Sequence, residues 1–376
     1  MNLRREYLVT CFWGHLQGSP DLPAHNIIKN PLEASNFLFH EYSKNILSSL
    51  NLPSMQILIH PLPALPPWRN LHINIDLTLT EMAKSTPNNI LASTYAEFIS
   101  RYPTHSSFFT DGSKTELGTG CAIYSADQDF NTIRFSLPPT FSVLSAELYA
   151  IKLCLEVTIP NYPYILIFSD SLSALNSLKK SNDKDQHPLA KEIITLLDQT
   201  SRVITFAWIP AHKGIQGNEL VDSAAKDASQ YFPYPNIPTP LADFKNAAKK
   251  RIIEKWSKIW SQVPPTNKLK SIKSDTNLWS TSLRRSRKEE VLLCRLRIGH
   301  CHLTHSHLLA RDPAPFCNHC DIQLSVYHLL VECPRLASLR HRQHLPDTLP
   351  LILQNDETTV LRLLHFIDTT VLFPLL

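Results

Sequence analysis

Two groups of residues in this chain have types and spacings that could do chemistry: the acids Asp111, Glu147, Asp170 and Asp222, and the set Cys317, Cys320, His328 and Cys333. Asp111 closes the apolar run "SSFFT" and Asp170 closes "YILIFS", so both carboxylates are expected at carboxyl ends of strands, where ligand sites of open α/β sheets gather. Glu147 stands about sixty degrees from Leu144 by helical spacing, at the border of the apolar stripe Leu144, Leu148, Ile151, Leu155. Asp222 is placed in the first turns of a later helix, outside the stripe Leu220, Ala224, Ala228. No Lys or Arg is expected to pair with them locally. Carboxylates within ~4 Å of one another repel by about 4 kcal/mol per pair at an effective dielectric near 20. They are therefore either separate and exposed, or held together by divalent cations, for which hard oxygen donors favour Mg²⁺ or Mn²⁺.

The elements that must position these acids lie between two proline-rich stretches, Leu52 to Trp68 and Phe232 to Pro240, which break regular structure repeatedly. Three strands are expected at Ser107 to Asp111, Gly120 to Ala126 and Thr132 to Leu137, followed by the Glu147 helix. The continuous apolar run Tyr164 to Phe168 suits a buried central strand. Helices at Ser171 to Lys180 and Pro188 to Thr200, a fifth strand at Val203 to Ile209 and a last helix from about Asn218 to Ser229 complete the order β-β-β-α-β-α-α-β-α. Three antiparallel strands followed by crossovers imply an α/β fold, one mixed five-stranded sheet flanked by helices.

The stretches "FTDGS" with Asp111, "SAELYA" with Glu147, "FSDS" with Asp170 and "IPAHKGIQGNELVD" with His212, Asn218, Glu219 and Asp222 stand in order on these elements. Together they resemble the type 1 ribonuclease H domain over roughly residues 106 to 230. The resemblance implies endonucleolytic hydrolysis of the RNA strand of an RNA-DNA hybrid with two Mg²⁺ or Mn²⁺ ions, leaving 5′ phosphate and 3′ hydroxyl ends. Asp111 would bridge both ions, Glu147 and Asp170 would complete one site, and Asp222 would help hold the other. His212 falls where the family carries a mobile histidine, implying a part in water activation or product release, since imidazole exchanges protons near neutral pH. Backbone around Gly112 and Ser113 and the turn near Glu147 are candidates for the wall that reads 2′-hydroxyls. The chain has no room between the Asp170 helix and the fifth strand for the extra basic helix of some members, so grip on the hybrid would come from downstream.

That downstream region is basic. From Lys245 to Arg297 there are 15 Lys and Arg against 4 Asp and Glu, whereas residues 106 to 232 carry 10 against 14. A solvated helix face is the plain account of a lone charge run; a net +11 beside an acidic domain is better explained by a polyanionic partner. Beyond it, Cys317-x2-Cys320-x7-His328-x4-Cys333 can close a tetrahedron round Zn²⁺, with Leu324, Val326, Leu329 and Leu330 as a small core. Reduced structural cysteines are the alternative, and His319 could compete with Cys320. Arg295, Arg297, His300 and His305 in "CRLRIGHCHLTH" precede it. This pattern, followed by the Cys-Cys-His-Cys module, resembles the carboxyl end of non-LTR retrotransposon polyproteins, where it is thought to hold nucleic acid, with Arg295 and Arg297 as contacts. "LPPW" and "IDLTL" upstream resemble their connector after reverse transcriptase, which makes reverse transcriptase an expected partner.

The expected organisation is a connector at 1–105, the nuclease domain at 106–232, a basic helical linker at 233–300, the zinc module at 301–345 and a tail at 346–376. No stretch approaches the roughly 18 apolar residues of a membrane span and the first residues, Met1 to Glu6, lack the core of a signal peptide. A soluble protein of nucleus or cytoplasm is expected, with no membrane partner and its eight cysteines reduced. Two other classes compete with the nuclease. One is a catalytically inactive remnant that binds nucleic acid through its basic tail and zinc module; the other is a related nuclease acting on DNA, against which the fourth acid, Asp222, argues.

Overall fold

The computed structural model describes residues 2–30, 34–52, 56–59, 71–81, 86–179, 186–231, 233–282, 284 and 286–370; most of the proline stretch from Leu52 to Trp68, with its "LPPW", and Phe232 lie outside them. No helix among them is long and apolar enough to cross a membrane. The chain divides into two compact units, Met1–Ile252 and Ile253–Leu376.

The first unit is built on a mixed sheet of β1 (Asn74–Asp76), β2 (Ser106–Lys114), β3 (Thr119–Ser125), β4 (Ile133–Leu137), β5 (Tyr164–Ser169) and β6 (Val203–Trp208). Their spatial order is β1-β6-β5-β2-β3-β4, with β2, β3 and β4 antiparallel and β2, β5, β6 and β1 parallel. The sheet is mixed and α/β as expected, with six strands where five are legible. The additional β1 comes from "NID" in the connector, a three-residue edge strand too short to show a period of two.

Both faces of the sheet are covered, which is why the strands read as unbroken apolar runs. Successive residues alternate between two cores: Phe108, Cys121, Ile123, Ile165, Ile167 and Phe206 face one way, and Phe109, Ala122, Leu166, Phe168 and Ala207 the other. The first core is roofed by helices Val143–Thr158, Leu172–Lys179 and Pro188–Gln199. The second is roofed by helix Gln216–Ala228 and, from the connector, by Leu79 of the short turn Thr78–Glu81 and Phe98 of helix Asn88–Ser100. The stripe of the Gln216–Ala228 helix departs from expectation. Val221, Ala224, Ala225 and Ala228 are buried, whereas Leu220 is 42% exposed, because a one-residue step turns it about 100° off that face.

In the second unit, Leu292, Leu293 and Leu296 of helix Arg287–Ile298 share one core with Val326, Leu329 and Leu330 and with Val360, Leu363, Phe366 and Ile367 of helix Glu357–Thr369. The boundaries expected at 300 and 345 both fall inside this core. Gly299 ends the first of these helices at φ 79°, a left-handed cap that suits glycine. Arg297, expected on the nucleic-acid face, is a core residue. It donates to Leu353 O, Gln354 O, Thr281 Oγ1 and Ser282 Oγ, and its guanidinium lies over the Trp279 ring at 4.7 Å. Burial holds its pKa below the usual arginine value. Arg295, two residues earlier on the helix, is exposed. Arg297→Ala should therefore destabilise the second unit by about 3 kcal/mol, since it strips partners from buried acceptors. Denaturant unfolding of the two variants separates the roles: Arg295→Ala should leave stability within about 0.5 kcal/mol.

Candidate active site

The site forms where β2 outruns β5. Parallel pairing between them ends at Phe109 with Phe168, whereas β2 continues beside β3 as far as Lys114 with Thr119. Thr110 closes the gap by donating from Oγ1 to Phe168 O at 3.1 Å, and Asp111 is the next residue. Asp170 follows the last residue of β5. Its main chain is pinned by Trp208 Nε1, which donates to Asp170 O at 2.9 Å. Both acids thus lie at the carboxyl edge of the parallel strands.

Glu147 reaches them because its helix comes unusually close to β2. A β-carbon on Gly112 would sit 2.3 Å from Glu147 N and 2.5 Å from the Ala146 carbonyl carbon, a contact that only glycine permits. The helix is fixed at its start by Ser142, whose side chain accepts from Ser145 N. Ligand oxygens of Asp111, Glu147 and Asp170 all lie within 4.8 Å of one another.

Three acids in so small a volume disturb one another. Asp111 is pushed up to about 7, first by burial and then by the charges of Asp170 and Asp222, against the opposing Lys226 charge and the Gly112 amide. Glu147 is raised well above the usual carboxylate range by burial and then by Asp111 and Asp170, again opposed by the Gly112 amide. Asp170 is raised by burial, with the Asn218 amide and His212 opposing. Asn218 Nδ2 donates to Asp170 Oδ2 at 3.3 Å. Glu147 Oε2 is buried without a hydrogen-bond partner. An orphaned anionic oxygen beside two further carboxylates suits a hard divalent cation, which would satisfy the oxygen and cancel the repulsion.

Asp222 stands outside this group of three. Its Oδ2 is 2.6 Å from Lys226 Nζ, so the expectation that none of the four acids is paired locally fails at this residue: Asp222 and Lys226 are one helical turn apart. His212 Nδ1 lies 4.0 Å from the same oxygen. The histidine side chain is 69% exposed and its backbone takes φ 52°, unusual for a residue with a β-carbon; Gly214 follows at φ 77°. Of the expected RNA-facing groups, Gly112 is buried and its amide serves the carboxylates, while Ser113 is half-buried opposite Gly120 on β3.

In the second unit, one ligand atom from each of Cys317, Cys320, His328 and Cys333 lies within 4.8 Å of the others. Cys320 Sγ and Cys333 Sγ are 3.9 Å apart. The Cys317 turn is tied by Cys317 N donating to Ile322 O and Asp321 N donating to Cys317 O, with Asp321 at φ 50°. The His319 backbone amide, then the His328 side chain and the Cys320 amide, face the Cys317 sulfur and hold its thiol down to about 6. Both ring nitrogens of His328 are buried without a well-formed hydrogen bond, Nδ1 lying 3.5 Å from Glu332 Oε2 and the ring beside the Cys317 sulfur, so the donor set fits a thiophilic cation such as Zn²⁺.

Residues 103–230 match the RNase H family model. The matched span contains β2 to β6, all four acids and His212.

Proposed function

We propose that the chain is a metal-dependent endonuclease that hydrolyses the RNA strand of RNA-DNA hybrids. The observation that carries this reading is the convergence of Asp111, Glu147 and Asp170 within 4.8 Å, with one Glu147 oxygen unpartnered, inside an RNase H domain. Asp111, Glu147 and Asp170 would hold one Mg²⁺ or Mn²⁺ ion, and Asp111 with Asp222 a second. Bound there, paired divalent cations supply a water nucleophile at neutral pH and neutralise charge on the leaving oxygen.

The protein's own groups do the rest. The Gly112 amide and Asn218 fix the orientation of the carboxylates, so little reorganisation accompanies charge development. The His212 imidazole, exposed on its loop beside Asp222, takes or returns the proton exchanged with solvent. In this reading the basic surface downstream, Arg295 included, and the zinc module add affinity for the nucleic-acid backbone. The chain would be the tail of a non-LTR retrotransposon polyprotein, working with its reverse transcriptase.

The test is cleavage of an end-labelled hybrid by the full chain. Mg²⁺-dependent cutting confined to the RNA strand is expected, with RNA and DNA duplexes left intact. His212→Ala should lower turnover about ten- to hundredfold without preventing it. Cutting that is indifferent to Mg²⁺, or directed at the DNA strand, overturns the proposal.

A further inference from the structure

We infer that Lys226 is a built-in competitor for the second divalent cation, occupying the Asp222 carboxylate so that this half of the site fills only at higher Mg²⁺; the inference rests on the nuclease reading above. The four acids are stabilised in two different ways. Asp111 and Glu147 receive the Gly112 amide and Asp170 receives the Asn218 amide, neutral donors that stay in place when a cation arrives. Asp222 alone among the four is hydrogen-bonded to a full positive charge, Lys226 Nζ at 2.6 Å from Oδ2, with the His212 ring 4.0 Å from that same oxygen; the lysine acts on Asp111 only through its field.

An ammonium group and a divalent ion cannot share one carboxylate oxygen at a few ångströms without strong mutual repulsion. Cation entry beside Asp222 therefore requires Lys226 to leave. The geometry allows this. The lysine side chain is 51% exposed whereas Asp222 is 19% exposed, so the stem can swing into solvent while the carboxylate stays. Asp222 also stands outside the group whose oxygens lie within 4.8 Å, which matches a side chain engaged with its own helical neighbour. The outcome is a site with two unequal halves: a ready group of three acids and a fourth acid released by exchange of one cation for another.

Mn²⁺ titrated into the full, zinc-loaded chain without hybrid, with free Mn²⁺ followed by electron paramagnetic resonance, tests this apart from turnover. The unsubstituted chain should take up Mn²⁺ in two steps. Lys226→Gln should tighten the second step about two- to fivefold, the scale of a half-exposed ion pair, and move the first by less, since the lysine reaches Asp111 only through its field and not by a hydrogen bond. Lys226→Arg should restore the original second step. A second step that is unchanged or weaker in Lys226→Gln, with the first intact, overturns the inference and leaves the nuclease reading standing. Absence of saturable Mn²⁺ binding in the unsubstituted chain, or binding unaffected by Asp111→Asn, overturns both.

Discussion

Asp111→Asn should abolish hybrid cleavage, by at least about a thousandfold, and at the same time make the metal-free protein more stable. The two effects share one cause. Asp111 is buried beside Asp170 and Asp222, and its carboxyl is pushed up from 3.8 to about 7. A folded-state value above the unfolded one means that the native protein binds the extra proton. The associated stability is fully present below about pH 4 and is lost as pH rises through about 7. At pH 8 the native chain without Mg²⁺ therefore carries a buried charge that folding opposes, worth on the order of 2–4 kcal/mol. The amide removes that charge and, with it, the anion on which a cation would bind. Urea unfolding of the zinc-loaded chain in Mg²⁺-free buffer, at pH 5 and pH 8, should show the unsubstituted protein losing stability between the two and Asp111→Asn losing less. Equal pH dependence in the two proteins, or residual cleavage within tenfold, would remove Asp111 from the site.

Such a trade-off explains why this part of the molecule could be read from sequence. A charge at the tip of a buried strand conflicts with local preference, and conflicts of that kind mark sites. Asp111 and Asp170 are legible for this reason and Glu147 from its place at the border of an apolar helical stripe, and the strands between them are legible because both faces of the sheet are buried. The partners of the acids were harder to see. The Gly112 amide acts through the main chain and has no residue signature beyond the glycine itself. Lys226 does have a signal, its four-residue spacing from Asp222 on a helix, but that pairing lies on the polar face, where the apolar stripe carries no information. Leu220 shares a four-residue spacing with Ala224 and Ala228, yet the buried face runs through Val221 and Ala225 as well and leaves Leu220 at its edge.

The connector and the second unit were the least legible. β1 is three residues long, and its place at the edge beside β6 is settled by pairing that no local pattern encodes. Arg297 sits in a helix rich in arginine and glutamate, so composition assigned it to the surface; only tertiary partners such as Leu353 O and the Trp279 ring show that its donors are used internally. The four zinc-type ligands were legible from spacing alone, while the core behind them was not, because its other half comes from residues 352 to 367.

That shared core sets the second large effect. Chelation of zinc by phenanthroline should unfold the whole second unit, from about residue 253 onward, and leave the first folded. Cys333 and His328 are 2% and 1% exposed, and the segment joining them, with Leu329 and Leu330, packs in the core with Leu292, Leu296, Val360 and Phe366. Without a cation, this core must bury an imidazole that has no well-formed hydrogen bond, its Nδ1 lying 3.5 Å from Glu332 Oε2, beside the buried Cys333 thiol and the half-buried Cys317 and Cys320. Structural zinc contributes on the order of 10 kcal/mol, as much as the total stability of a small domain. Limited proteolysis should then degrade the chain to a fragment ending near residue 252, with one equivalent of zinc released. Cleavage of hybrid at saturating concentration should persist in that fragment, since phenanthroline spares Mg²⁺ and all four acids lie in the first unit. Cys333→Ser should reproduce the proteolysis pattern without chelator. If the second unit stays resistant after zinc is removed, its stability comes from the apolar core alone, and the four ligands are three reduced cysteines and a buried histidine that need no metal.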